Sequence, residues 1–112
     1  MSRHDDRVSM QQVRAHAQEA IAMGGGKTRE EIVTDRKLQL ALTRLVEIVG
    51  EAAARISPET RVNHPAIPWP EMISMRNRLI HGYDTVDLAV LQSTVSVDLP
   101  QLVARLDAIL GH

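Results

Sequence analysis

The chain has 112 residues, a net charge of −1 from thirteen basic and fourteen acidic side chains, and no cysteine or phenylalanine. That length suits one domain, residues 1–112, with a single core. Without cysteine there are no disulfides, no thiolate catalysis and no zinc–cysteine sites. The balanced charge provides no global field for nucleic acid, so any RNA binding has to rest on a local basic patch. One Trp and one Tyr also leave the chain without the aromatic platforms on which single-stranded bases usually stack. No apolar run approaches the length of a membrane span, and Met1 to Asp6 lacks the pattern of a signal peptide. The expectation is a soluble, cytoplasmic protein.

Helical spacing of Val8, Val13, Ala17, Ala20 and Ile21 predicts a first helix over Asp6 to Met23, ended by Gly24-Gly25-Gly26. Gly26-Lys27-Thr28 looks like the end of a phosphate-binding loop. It lacks the earlier glycine, since Ile21 stands there, and it follows a helix rather than a strand. Thr28 with Glu31 instead has the pattern of a capping box. It opens a second helical region reaching about Ile56, hinged at Thr34-Asp35. Leu38, Leu42, Leu45, Val49, Ala52 and Ile56 form a bundle seam there, and Leu40, Val46, Ile48 and Ala53 add apolar character off it. Burial from two directions is expected, one of them by a second chain.

Ser57-Pro58 begins a connector with room for a short helical turn, and residues 64–70 carry too many prolines for a regular element. Pro70 suits the first position of a third helix through Met72, Ile73, Leu79 and Ile80, which Gly82 would end. Asp84 or Asp87 can cap a fourth helix running through Leu88, Leu91, Val95, Leu99, Leu102, Leu106 and Leu110. Pro100 predicts a kink or restart near Asp98. The expected fold is all-α, an up-and-down four-helix bundle with its fourth helix kinked near Pro100.

Chemistry concentrates in Arg76-Asn77-Arg78-Leu79-Ile80-His81-Gly82-Tyr83. Arg76 is a permanent cation with a planar fork that matches phosphate oxygens, and His81 titrates near neutral pH. On a straight helix, Arg76 and Tyr83 would line up while His81 points roughly 140° away. Unwinding near Gly82 would relieve that mismatch, and a homodimer could place both copies of the motif along one groove. In such a cleft RNA can be cleaved without metal, because its 2′-hydroxyl is the nucleophile. His81 would transfer the proton, Arg76 would stabilise charge on phosphorus, and Asn77 would orient the scaffold or a phosphate oxygen. Arg78 is left to a basic rim.

The same motif, with Asp5-Asp6-Arg7, Asp35-Arg36-Lys37-Leu38, Glu47 to Ala52, His64 to Trp69, Met75-Arg76-Asn77 and Asp98-Leu99-Pro100, resembles the HepT family of HEPN-domain proteins nearly end to end. These are toxins paired with a minimal nucleotidyltransferase antitoxin, MntA. The resemblance implies a metal-independent endoribonuclease acting on mRNA or tRNA, with no cofactor. It also implies that Tyr83 is the residue the MntA-like partner modifies with AMP. An added phosphodiester and nucleoside beside Arg76 and His81 would silence the site.

Plainer roles compete for these residues. A helical arginine is often a solvated surface residue, and a histidine near a helix end often complements the dipole. Tyr83 can be a core ring with a bonded hydroxyl. Glu47 and Glu51, flanked by Arg44 and Arg55, fit a charged helix face better than a catalytic carboxylate pair. His4, His16, His64 and His112 lack metal-ligand spacing, and Met72 and Met75 fit core packing. The alternative function is a non-catalytic helical interaction subunit of a nucleotidyltransferase. A plain RNA or nucleotide binder is disfavoured by the charge balance and missing aromatics.

Overall fold

The computed structural model describes residues 5–81, with His81 by its backbone alone, and residues 85–111. The chain is all-α, as expected. The described residues form eight α-helical segments, one π-helical turn and a two-stranded hairpin rather than four uninterrupted rods.

Helix α1 (Asp6–Gly24) starts at Asp5, whose side chain accepts from the Arg7 N–H, and buries Met10, Val13, Ala17 and Ala20. Beyond it the chain turns at Gly26, whose φ of 79° is a backbone state open to glycine. The capping box is present: Glu31 N–H donates to Thr28 Oγ1 at 3.1 Å, and Thr28 N–H donates to Glu31 Oε1 at 2.9 Å. It opens only the short α2 (Arg29–Val33). The expected hinge follows, with Asp35 capping the long helix α3 (Arg36–Ala54).

Leu42, Leu45, Val49, Ala52 and Ile56 are buried and Leu38 is partly buried, so the seam reads correctly. The second buried face of α3 is covered by its own chain. Gly50 lets helix α5 (Trp69–Ile73) approach so closely that a Cβ would lie 3.2 Å from Met72 O. Val46 and Ala53, one turn to either side of Gly50, are fully buried. Burial of Val46 and Ala53 therefore requires no second chain, whereas Ile48 is only half-buried. Leu40 (55 % exposed) and Val8 (45 % exposed) stay outside the core despite their place in the apolar pattern.

Between α3 and α5 lies α4 (Pro58–Asn63), tied back to α1 by Asp6. The Asp6 carboxylate accepts from Ser57 N–H at 3.0 Å, Ser57 Oγ at 2.6 Å and Thr60 Oγ1 at 2.5 Å. Buried Trp69 anchors the proline-rich connector by donating from Nε1 to Arg61 O at 3.1 Å and His64 O at 3.0 Å.

The third helix departs from expectation. It begins at Trp69, so Pro70 takes its second position. It breaks at Ser74 and continues as α6 (Met75–Leu79). The end comes before Gly82, which lies outside the described residues, because Ile80-His81 turn extended as β1 and pair antiparallel with β2 (Thr85–Val86). Asp87 N–H extends that ladder to Leu79 O at 2.8 Å. Of the two caps considered, Asp87 opens α7 (Leu88–Ser93) through Val90 N–H, and Asp84 lies outside the described residues.

The interruption expected at Pro100 is a π-helical turn, Thr94–Asp98, leading into α8 (Leu99–Leu110). Pro100 has no N–H, and its ring crowds the carbonyl four residues back. The chain relaxes by one wider turn, in which Leu99 N–H reaches Thr94 O. Leu99, Leu102, Leu106 and Leu110 then face the core, and Arg14 of α1 pairs with Asp107 of α8.

Candidate functional site

The motif straddles a change of backbone. Arg76 and Asn77 lie in the single turn of α6, whose N–H groups find their acceptor in Ser74 O: Asn77 N donates at 2.9 Å and Arg78 N at 3.2 Å. His81 follows in β1, in register with Thr85. The straight-helix geometry that set His81 apart from Arg76 does not apply, since the chain is extended from Ile80 onward. Tyr83 lies outside the described residues.

Arg76 is about half exposed (54 %), with its Nε 3.6 Å from Glu47 Oε2. The same carboxylate oxygen lies 3.7 Å from Arg44 Nη1, and Arg44 reaches Glu51 at 3.4 Å. Glu47, with a side chain 21 % exposed, thus joins a cation of α6 to one of α3. Glu47 and Glu51 do form ion pairs with Arg44, as a charged helix face would. The contact with Arg76 is additional, and the 28 residues between them hide it from any local spacing rule. Arg78, two residues after Arg76 and so on the other side of the helix, donates to Glu71 O at 3.2 Å. Asn77 is exposed.

A groove of about 310 Å³ runs between α3 and the hairpin, lined by Gln39, Leu40, Thr43, Arg44, Ile80 and Val86, with Arg36 and Glu47 at its ends. Arg44 also borders a second hollow, between α1 and α3, with His16 and Arg55. Arg36, Arg44 and Arg55 line these hollows together with Glu47 and Glu51, which leaves a local excess of positive charge in a chain of near-zero net charge. Among the described residues no group of three His, Cys, Asp or Glu side chains could hold a metal ion. His16 is half-buried and its Nδ1 lies 2.7 Å from Gln12 O, while His64 caps α4. His4 and His112 lie outside the described residues. Met72 and Met75 are buried, as core packing requires. Among the described residues no helix is long and apolar enough to cross a membrane.

Fold and site together define an all-helical protein whose arginine–histidine motif sits at a helix-to-strand change beside a basic groove. Residues 11–109 match the family model described as "Ribonuclease HepT-like", and the chain belongs to that family. A protein of Thermococcus cleftensis named "Probable ribonuclease HepT" is 44 % identical over 78 residues, covering 70 % of this chain and 71 % of that protein. A protein of Methanocaldococcus jannaschii named as an RNase is 30 % identical over 102 residues, 91 % of this chain and 94 % of its own. Another RNase-named protein, from Caldanaerobacter subterraneus, is 35 % identical over 85 residues, 76 % of each chain. No solved structure gives a significant match.

Proposed function

We propose that the protein is the toxin of a toxin–antitoxin pair, an endoribonuclease that cuts mRNA or tRNA without metal through Arg76 and His81. The observation that carries the reading is the placement of Arg76, half exposed on α6, a few residues before His81 on a strand that borders the basic groove. Membership of the HepT-like family and the RNase names of the relatives support it. The ribose 2′-oxygen attacks phosphorus while His81 takes the hydroxyl proton. The 2′-O–P bond forms, the P–O5′ bond breaks, and the departing 5′-oxygen is protonated. The products are a 2′,3′-cyclic phosphate and a 5′-hydroxyl. Arg76 offsets charge on the non-bridging oxygens, and Asn77 orients that end of α6 or a phosphate oxygen.

Silencing by an MntA-like nucleotidyltransferase through adenylylation of Tyr83 completes the reading, supported by the sequence of the motif. Homodimer formation also belongs to it, and rests on the resemblance.

The test is induced expression of wild type, Arg76→Ala, His81→Ala and Tyr83→Phe, with purified protein assayed on RNA in chelator. Wild type should arrest growth and cut RNA in chelator, while the Arg76 and His81 variants do neither. Tyr83→Phe should remain toxic when the transferase is co-expressed. Equal toxicity of His81→Ala and wild type, or no cutting by any form, would favour a non-catalytic interaction subunit instead.

A further inference from the structure

Cleavage at a phosphate leaves much of the groove beside Arg76 without a role. Three elements give it apolar walls, Leu40 of α3, Ile80 of β1 and Val86 of β2, and its volume of about 310 Å³ suits a small planar ligand. Gln39 adds a fixed polar group. Its Nε2 donates to Ile32 O at 2.8 Å and Val33 O at 3.0 Å, at the end of α2. Both partners are carbonyls, so flipping the carboxamide would lose both bonds, and Oε1 is held in place as an acceptor. Arg36 and Arg44 put positive charge on the rim, and Arg44 shares Glu47 with Arg76.

We propose that this groove seats one nucleobase of the RNA, next to the phosphate handled by Arg76. In this site Gln39 Oε1 favours adenine and cytosine, whose amino groups stand where guanine and uracil carry a carbonyl. The inference rests on the ribonuclease reading. Aliphatic walls cover the base faces, taking the place of the aromatic platforms this chain lacks. Where adenine N6 or cytosine N4 presents an amino donor to Gln39, guanine O6 or uracil O4 presents a carbonyl, which sets two acceptors against each other. A second copy of the chain is the rival occupant. Its matching face would bring the same arginines toward Arg36 and Arg44, whereas an RNA strand brings the opposite charge.

The experiment is cleavage of a randomised oligoribonucleotide by wild type and Leu40→Trp, with the ends sequenced and the oligomeric state measured at the same concentration. Leu40 is exposed, so the larger ring fills the groove without entering the core. Wild type should show uracil and guanine depleted at one fixed position beside the cut. Leu40→Trp should lose that depletion and need about tenfold more RNA for half-maximal rate. Wild type that cuts without base preference, or a Leu40→Trp protein that cuts like wild type, overturns the subsite and leaves the ribonuclease reading standing. Wild type that cuts no RNA removes both. If Leu40→Trp converts a dimer to a monomer, the face belongs to a second copy and the subsite is wrong.

Discussion

Asp6 offers a sharp test of how the chain is closed at one end. Its carboxylate joins the first turn of α1 to the start of α4 through Ser57 N–H, Ser57 Oγ and Thr60 Oγ1. A hydrogen bond to a charged group contributes about 1.5–3 kcal/mol, and three on one carboxylate do not add in full. The two hydroxyls lie 3.2 Å apart and can bond to each other or to water after the acid is removed, so the main loss is at Ser57 N–H. Asp6→Ala should therefore destabilise by about 2–4 kcal/mol. At this chain length that lowers Tm by about 8–17 °C. Asp6→Asn keeps an oxygen for Ser57 N–H and presents its amide to hydroxyls that can turn round to accept, so its cost should be about 1 kcal/mol. Denaturant unfolding followed by Trp69 fluorescence and by circular dichroism measures both variants. If Asp6→Ala cost less than about 0.5 kcal/mol, or Asp6→Asn cost as much as alanine, the three-bond account would be wrong.

Glu47→Gln should strip Arg76 of its carboxylate partner. Binding of a 2′-O-methylated oligoribonucleotide should then become more salt-dependent, by about 0.7 in the log–log slope for one newly available phosphate contact. Glu51→Gln, which touches Arg44 alone of the two cations, should leave the slope unchanged; equal slopes in all three proteins would mean that Glu47 does not restrain Arg76. The Thr28 backbone N–H, and then its hydroxyl, hold the Glu31 carboxyl below its usual range against a small opposing effect of burial, with Lys27 adding to the lowering. A lowered folded-state value means that this contribution to α2 is fully present above the ordinary glutamate range and is lost as pH falls through the folded value. An NMR titration in which Glu31 of the folded protein titrates no lower than a glutamate of the unfolded chain would refute it. Trp69→Phe should cost about 1–3 kcal/mol because the carbonyls of Arg61 and His64 lose their shared donor, read by the thermal midpoint in circular dichroism.

Local rules exposed what local physics decides. Thr28 with Glu31, the hinge at Asp35, the α3 seam and the interruption before Pro100 all depend on neighbours within a turn or two, and all are present. The strand at Ile80-His81 escaped notice because two residues carry no period, and because its formation depends on pairing with Thr85-Val86 across a turn. Ile80 continued the apolar helical pattern and so read as helix. Glu47 was visible as half of a carboxylate pair with arginines at helical spacing. Its contact with Arg76 comes from the packing of α5 and α6 on α3, which no window of sequence contains.

Gly50 sets that packing by contributing no side chain. Met72 O lies where its Cβ contact would begin, so α3 and α5 meet backbone to backbone. Glu47 stands one turn before that point on α3, and Arg76 one turn beyond Met72 on the adjoining segment. The separation of the two charges is thus gauged by a bare spot some distance from both. A single methyl group there acts as a shim: Gly50→Ala requires the Met72 carbonyl to yield by a few tenths of an ångström. The spacing of Glu47 and Arg76 can drift in this way while every charged residue of the motif stays in the sequence, so a protein can keep its signature intact and still lose its fit.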